Sequence, residues 1–192
     1  MTLNDELLAQ LGDPGVEQIA ELLGTDVASA RKVIEATSGT IIGGMARNAE
    51  YPEGAEALRA ALDEHLDADP FNADVASLSR DGQSILGHVL GGQGTEQAAA
   101  GLSRLAGVAP GTILKLLLLL APMIMSLLAN RASSTGMDAG ALADVLHREQ
   151  SALPGRLGDL LDDLLDGIFG GTQPSVPQQG RAEPQRASHP EW

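Results

Sequence analysis

The chain has 192 residues, 26 acidic against 12 basic, hence a formal net charge of −14, with 43% apolar residues, 2% aromatics and no cysteine. That length suits one domain or two small repeated units, and zero cysteine excludes a disulfide framework, a thiol nucleophile and cysteine-ligated metal. The acidity removes the counterion-release term on which nucleic-acid binders depend and opposes docking on anionic lipid.

The opening residues, Met1 to Glu6, are acidic and lack the basic flank and apolar run of a secretion signal, so a soluble, cytoplasmic protein is expected. Leu3, Leu7, Leu8 and Leu11 follow a helical period, and Gly12-Asp13-Pro14-Gly15 is a stop-and-turn cluster. Val16, Ile19, Ala20 and Leu23 form the next stripe, closed by Gly24. Thr25 or Asp26 can cap a third helix holding Val27, Ala30, Val33 and Ile34. Gly39 interrupts the pattern and predicts a bend or helix start there. Ala55 to Leu66 makes the next helix, followed by a linker over 67–85. A second helical region runs over 86–150, with Pro122 as its interruption and Ala139 to Gln150 as its last helix. Residues 151–171 read as an acidic amphipathic helix pivoting at Pro154-Gly155. The tail, 172–192, holds four of the ten prolines and reads as disordered. Alternating strand patterns are missing, so the expected class is all-α.

The two helical regions resemble each other. Residues 7–20, LLAQLGDPGVEQIA, lie over 86–99, LGHVLGGQGTEQAA, without a gap; Leu11/Leu90, Gly12/Gly91, Gly15/Gly94 and Glu17/Glu96 coincide. After four extra residues in the second copy, Gly24/Gly107, Lys32/Lys115 and Ile41/Ile124 also match, and Gly39 meets Pro122. Preserved order with small shifts predicts two tandem copies of one helical unit, 1–66 and 86–150.

The block Gly82-Gln83-Ser84-Ile85-Leu86-Gly87-His88-Val89-Leu90-Gly91-Gly92 is followed by Leu102 to Val108 and then Leu119-Leu120-Ala121-Pro122. Together these resemble the bacterial DUF937 family, grouped with YidB-like proteins, over roughly residues 3–150; Ile41 to Ala49 is similar to the family's N-terminal half. The resemblance implies a small all-helical protein with homeodomain-like packing. It supplies no reaction and no catalytic residue.

Several patterns invite sharper readings. Ile19 to Ile34, and again Leu102 to Leu117, have the helix–glycine turn–helix spacing of a DNA-reading motif. Yet the first offers only Arg31 and Lys32 among Glu21, Asp26 and Glu35, and the second only Lys115, so nucleic acid is not the expected partner. Ile113 to Leu128 is the most apolar run; interrupted by Lys115 and Pro122, it reads as a buried hairpin or an oligomer contact, with no membrane span. His88 reads as a helix-end histidine bonding a backbone carbonyl, because no partner stands at metal or catalytic spacing. Gly91-Gly92-Gln93-Gly94 lacks the lysine of a phosphate cradle and reads as a turn. Asp67, Asp69 and Asp74 begin like a calcium loop but lack its glycine, and Asp159, Asp162, Asp163 and Asp166 form one solvated helix face. No catalytic constellation, metal set or cofactor motif is present, so no enzyme is expected.

The leading expectation is a protein that packs against itself or another protein. Leu157, Leu160, Leu161, Leu164, Leu165 and Ile168 form a continuous apolar stripe that has to be covered. It either caps its own repeats or enters a groove on another chain; the contact favoured is with the apolar excess around Leu116, Leu120, Met123 and Leu127 of a neighbouring copy. The competing expectations are a DNA-associated regulator and a binder of amphipathic ligands or lipid.

Overall fold

The computed structural model describes residues 1–170, and the tail read as disordered lies outside them. The described residues form eight helices and no strand: α1 (Leu3–Leu23), α2 (Val27–Ala49), α3 (Pro52–Glu64), α4 (Val75–Val89), α5 (Gly92–Ala106), α6 (Pro110–Thr135), α7 (Ala139–Ser151) and α8 (Gly155–Gly170).

Local chemistry accounts for most of the boundaries. Thr2 opens α1 with a reciprocal capping box to Asp5. Asp26, Asp74 and Asp138 cap α2, α4 and α7 by accepting from the backbone N–H of Ser29 (2.7 Å), Ser77 (3.0 Å) and Ala141 (2.8 Å). Gly24, Gly107 and Gly136 close α1, α5 and α6 in the left-handed conformation. The predicted stop at Gly12 is a single-residue break inside α1, at φ 62° and ψ 179°.

Two boundary expectations are corrected. The segment 67–85 is irregular only as far as Asp74; from Val75 onward it is helix α4, whose capping Asp74 was read as part of a possible calcium loop. Neither Gly39 nor Pro122 starts a helix, and α2 and α6 run through them. Pro122 has no N–H for the carbonyl of Leu118 one turn earlier. That carbonyl oxygen faces the backbone of Gly82 in α4, so closely that a Cβ on Gly82 would stand 2.0 Å from it. A Cα–H contact from glycine then replaces part of the missing hydrogen bond. At Gly39 the missing side chain makes room for Leu161 and Leu153, described below.

Helices α2 and α6 are the centre of the fold. α6 packs on α1, α2, α3, α4 and α5, while α2 packs on α1, α3, α4, α5, α6, α7 and α8. Residues 36–46 of α2 and 120–129 of α6 are buried without interruption, as expected for helices enclosed on every side. The two stretches differ in bulk. α2 carries Ala36-Thr37-Ser38-Gly39-Thr40 and Gly43-Gly44, where α6 carries Leu120, Met123, Ile124, Met125, Leu127 and Leu128.

Ends distant in sequence are tied by one polar cluster. Arg131 donates to Glu149 (2.7 Å) and to Glu6 (2.6 Å), and Glu149 also accepts from the backbone N–H of Leu3 (2.7 Å). Burial opposes the Arg131 charge, but the hydrogen bonds to Glu6 and Glu149 outweigh it and raise its pKa above the ordinary value.

Candidate functional site

The apolar stripe of α8 is covered by its own chain. Its seat is built from helical glycines, each receiving one side chain of α8, with Leu153 also against Gly39. A Cβ on Gly39 would lie 2.8 Å from Leu161, one on Gly43 2.5 Å from Leu165, one on Gly101 2.5 Å from Leu164, and one on Gly94 2.8 Å from Ile168. Gly39 and Gly43 stand four apart on one face of α2; Gly94 and Gly101 stand seven apart on one face of α5. The pairing order makes α8 parallel to α2 and antiparallel to α5. Leu161, Leu165 and Ile168 are buried by this contact, and Leu157 and Leu164 are half-buried.

Polar pairs close the rim. Arg47 of α2 forms an ion pair with Asp166, and Gln150 of α7 donates to Asp162 at 2.7 Å. Asp159 and Asp163 stay exposed on the outer face. One apolar edge remains open: Leu160 is 45% and Leu105 43% exposed, and both line a groove of about 510 Å³ between α5 and α8.

The surface expected to receive this stripe is corrected. Leu116, Leu120, Met123 and Leu127 are buried in the core of their own chain, and α8 lies on α2 and α5. The reason is bulk. The leucines and methionines of α6 already fill the space between the helices around it, whereas the glycines of α2 and α5 leave holes a leucine can enter. The sequence signal overlooked was Gly39-x-x-x-Gly43, one helical turn apart, repeated more loosely by Gly94 and Gly101.

The other singled-out residues fall apart from this seat. His88 stands in the last turn of α4, with Nδ1 at 2.8 Å from the carbonyl oxygen of Ser84. Arg31, in the first helix-turn-helix-like segment, pairs with Asp13 at 3.0 Å. Asp69 accepts from Asn72 at 2.7 Å. Asp74 also accepts from the hydroxyl of Ser77, and the backbone and side-chain bonds from Ser77 lower its pKa from the ordinary value. Among the described residues no three histidine, aspartate or glutamate side chains come together as a metal site. As an unbroken helix, α6 is long and apolar enough to cross a membrane, unlike the interrupted run read from sequence; 67% of its most apolar stretch is buried by the rest of the fold.

The described residues thus form an all-helical fold in which an amphipathic helix is seated on glycines. The chain belongs to a family of bacterial proteins of unknown function, DUF937, whose family model matches residues 5–131. No curated protein and no solved structure matches the chain. The family match ends within α6, so α7 and α8 lie beyond it.

Proposed function

We propose that this protein is a non-enzymatic helical-repeat protein that works by self-association, with α8 of one copy seated on the glycine-lined groove of another. The observation that carries the reading is the seat: Gly39, Gly43, Gly94 and Gly101, each beneath one apolar side chain of α8. A glycine weakens a helix interior by roughly 1 kcal/mol relative to alanine, so glycines in register have a use only where another helix lies on them. A groove of this kind accepts its helix equally well from its own or an identical chain. The link between α7 and α8 is three residues, 152–154, and short links favour exchange between copies. Leu105 and Leu160 add an exposed apolar rim beside the seat.

Two tandem units, α1–α3 and α4–α7, are the second part of this reading. What supports it is the backbone at matched positions: Gly12 and Gly91 at φ 62° and 77°, Gly24 and Gly107 both at 67°. In each unit the second glycine makes the turn before the longest helix, which is the homeodomain-like element of the arrangement. The copies then divide the work. The long helix of the first supplies part of the seat, and that of the second fills the core.

Light scattering on three proteins tests the proposal. A chain ending at Gly171 is expected to associate like the full chain, and one ending at Leu153 to be monomeric. Gly43→Leu, which fills the seat within the full chain, is expected to behave like the shorter chain. A full chain that stays monomeric at high concentration, or association retained without α8, overturns the reading.

A further inference from the structure

A second feature lies on the opposite side of α2, away from α8. A cavity of about 310 Å³ opens between α2, α3, α4 and the middle of α6. Its floor is apolar, with Met45, Ile85, Val89 and Met125 buried beneath the half-buried Leu58. The volume falls at the small end of the range for small-molecule sites, and methionine is the side chain that adapts most readily to different occupants. The polar lining is concentrated in Asn48, Glu64, His65, Ser84 and His88.

That lining includes two groups able to donate, the Ser84 hydroxyl and the His65 ring, beside a set of acceptors. Asn48 donates from Nδ2 to the carbonyl oxygens of Gly44 (3.0 Å) and Val89 (2.7 Å). Both amide hydrogens are therefore engaged, and Oδ1 is left as an acceptor. The carbonyl of Ser84 can only accept, so Nδ1 of His88 donates to it, and in the tautomer this bond selects Nε2 is the acceptor. Glu64 adds a carboxylate, and no lysine or arginine lines the cavity. Asn48 Oδ1, the Glu64 carboxylate and His88 Nε2 are acceptors lining one cavity with an apolar floor. A carboxylate with two further acceptors and no basic side chain beside it suits an ammonium group, which has three donors and no acceptor. The net charge of −14 favours a cation in the same direction.

We propose that this cavity is a binding site for a small apolar molecule bearing a primary ammonium group, with Asn48, Glu64 and His88 receiving the ammonium and Met45, Ile85 and Met125 the apolar body. The site is independent of α8 and of the association proposed above.

The test is methyl NMR on the full chain, titrated with phenethylamine and, separately, with phenylpropionate, which carries a carboxylate on a similar body. Phenethylamine is expected to give saturable shifts of the Met45, Ile85 and Met125 methyls, and phenylpropionate to bind at least about tenfold more weakly. Glu64→Gln and His88→Ala, both at exposed positions, are each expected to weaken the amine by about tenfold while the helical circular dichroism is unchanged. Ala61→Phe, which narrows the cavity from α3, is expected to abolish the shifts. Equal binding of amine and acid, amine shifts insensitive to all three substitutions, or no saturable shift at millimolar amine overturns the proposal.

Discussion

Single glycines in this fold do opposite things, and α4 shows the contrast within one helix. At Gly82 an added Cβ would meet the backbone carbonyl of Leu118 at 2.0 Å, an obstacle that cannot rotate away. At Gly87 an added Cβ meets nothing within 4 Å. Gly82→Ala is therefore expected to destabilise the protein by about 3 kcal/mol or more, since α4 and α6 have to separate. Gly87→Ala is expected to stabilise it by roughly 0.5–1 kcal/mol through helix propensity alone. Urea midpoints of the two variants check both signs. Gly43→Ala falls between them, because the atom it meets at 2.5 Å is the end of the Leu165 side chain. Sequence patterns register glycine as a breaker and carry no trace of which neighbour needs the space. That is why the turn at Gly12 was legible and the seat at Gly39 and Gly43 was not.

The beginning of α2 was legible because its chemistry is local. Asp26 lies within three residues of the group it satisfies, so no tertiary information is required; Asp74 caps α4 in the same way, yet that start was hidden in a segment that reads as linker. The bonds from Ser29 and Ser77 lower the pKa values of these carboxylates in the folded chain. A group whose pKa is depressed on folding contributes stability above its unfolded value, and that contribution is lost as the pH falls through the folded one. Paired melting curves of the natural chain and a double Asp26→Asn, Asp74→Asn variant are expected to converge between about pH 6 and about pH 3, with the natural chain higher at the upper end. Helix interiors were harder to read. Gly39 and Pro122 break helices in isolation, yet here α2 and α6, packed among the surrounding helices, continue through them. Breakers report on a lone helix; enclosure on every side decides what the helix does in a protein.

Across the whole molecule, the class and the amphipathic character of α8 could be read from periodicity, while the partner of α8 could not. Periodicity states that a face needs cover but says nothing of where another face leaves holes. Charge at this scale yields a further expectation. Arg31 is engaged by Asp13, and the cations nearest it and its counterpart, Lys32 and Lys115, belong to a chain of net charge −14. At near-physiological salt the protein is expected to leave the mobility of duplex DNA unchanged. Sequence-dependent retardation in a gel would favour a regulator over a packing protein.

The polar cluster around Arg131 bears on the order in which the chain can complete itself during synthesis. The backbone N–H of Leu3 waits for the carboxylate of Glu149, 146 positions later, and Glu6 waits for Arg131, 125 positions later. A ribosome adding roughly 5–20 residues per second exposes the first helix for many seconds before its final partner emerges. During that interval α1 can dock on α2, its neighbour in sequence, with Ser38 donating to Asn4, but the N–H of Leu3 and the carboxylate of Glu6 lack their later partners. Completion of the amino-terminal end is therefore a late event, begun by Arg131 of α6 and finished by α7, and a nascent chain halted before Glu149 leaves the N–H of Leu3 without the carboxylate that receives it.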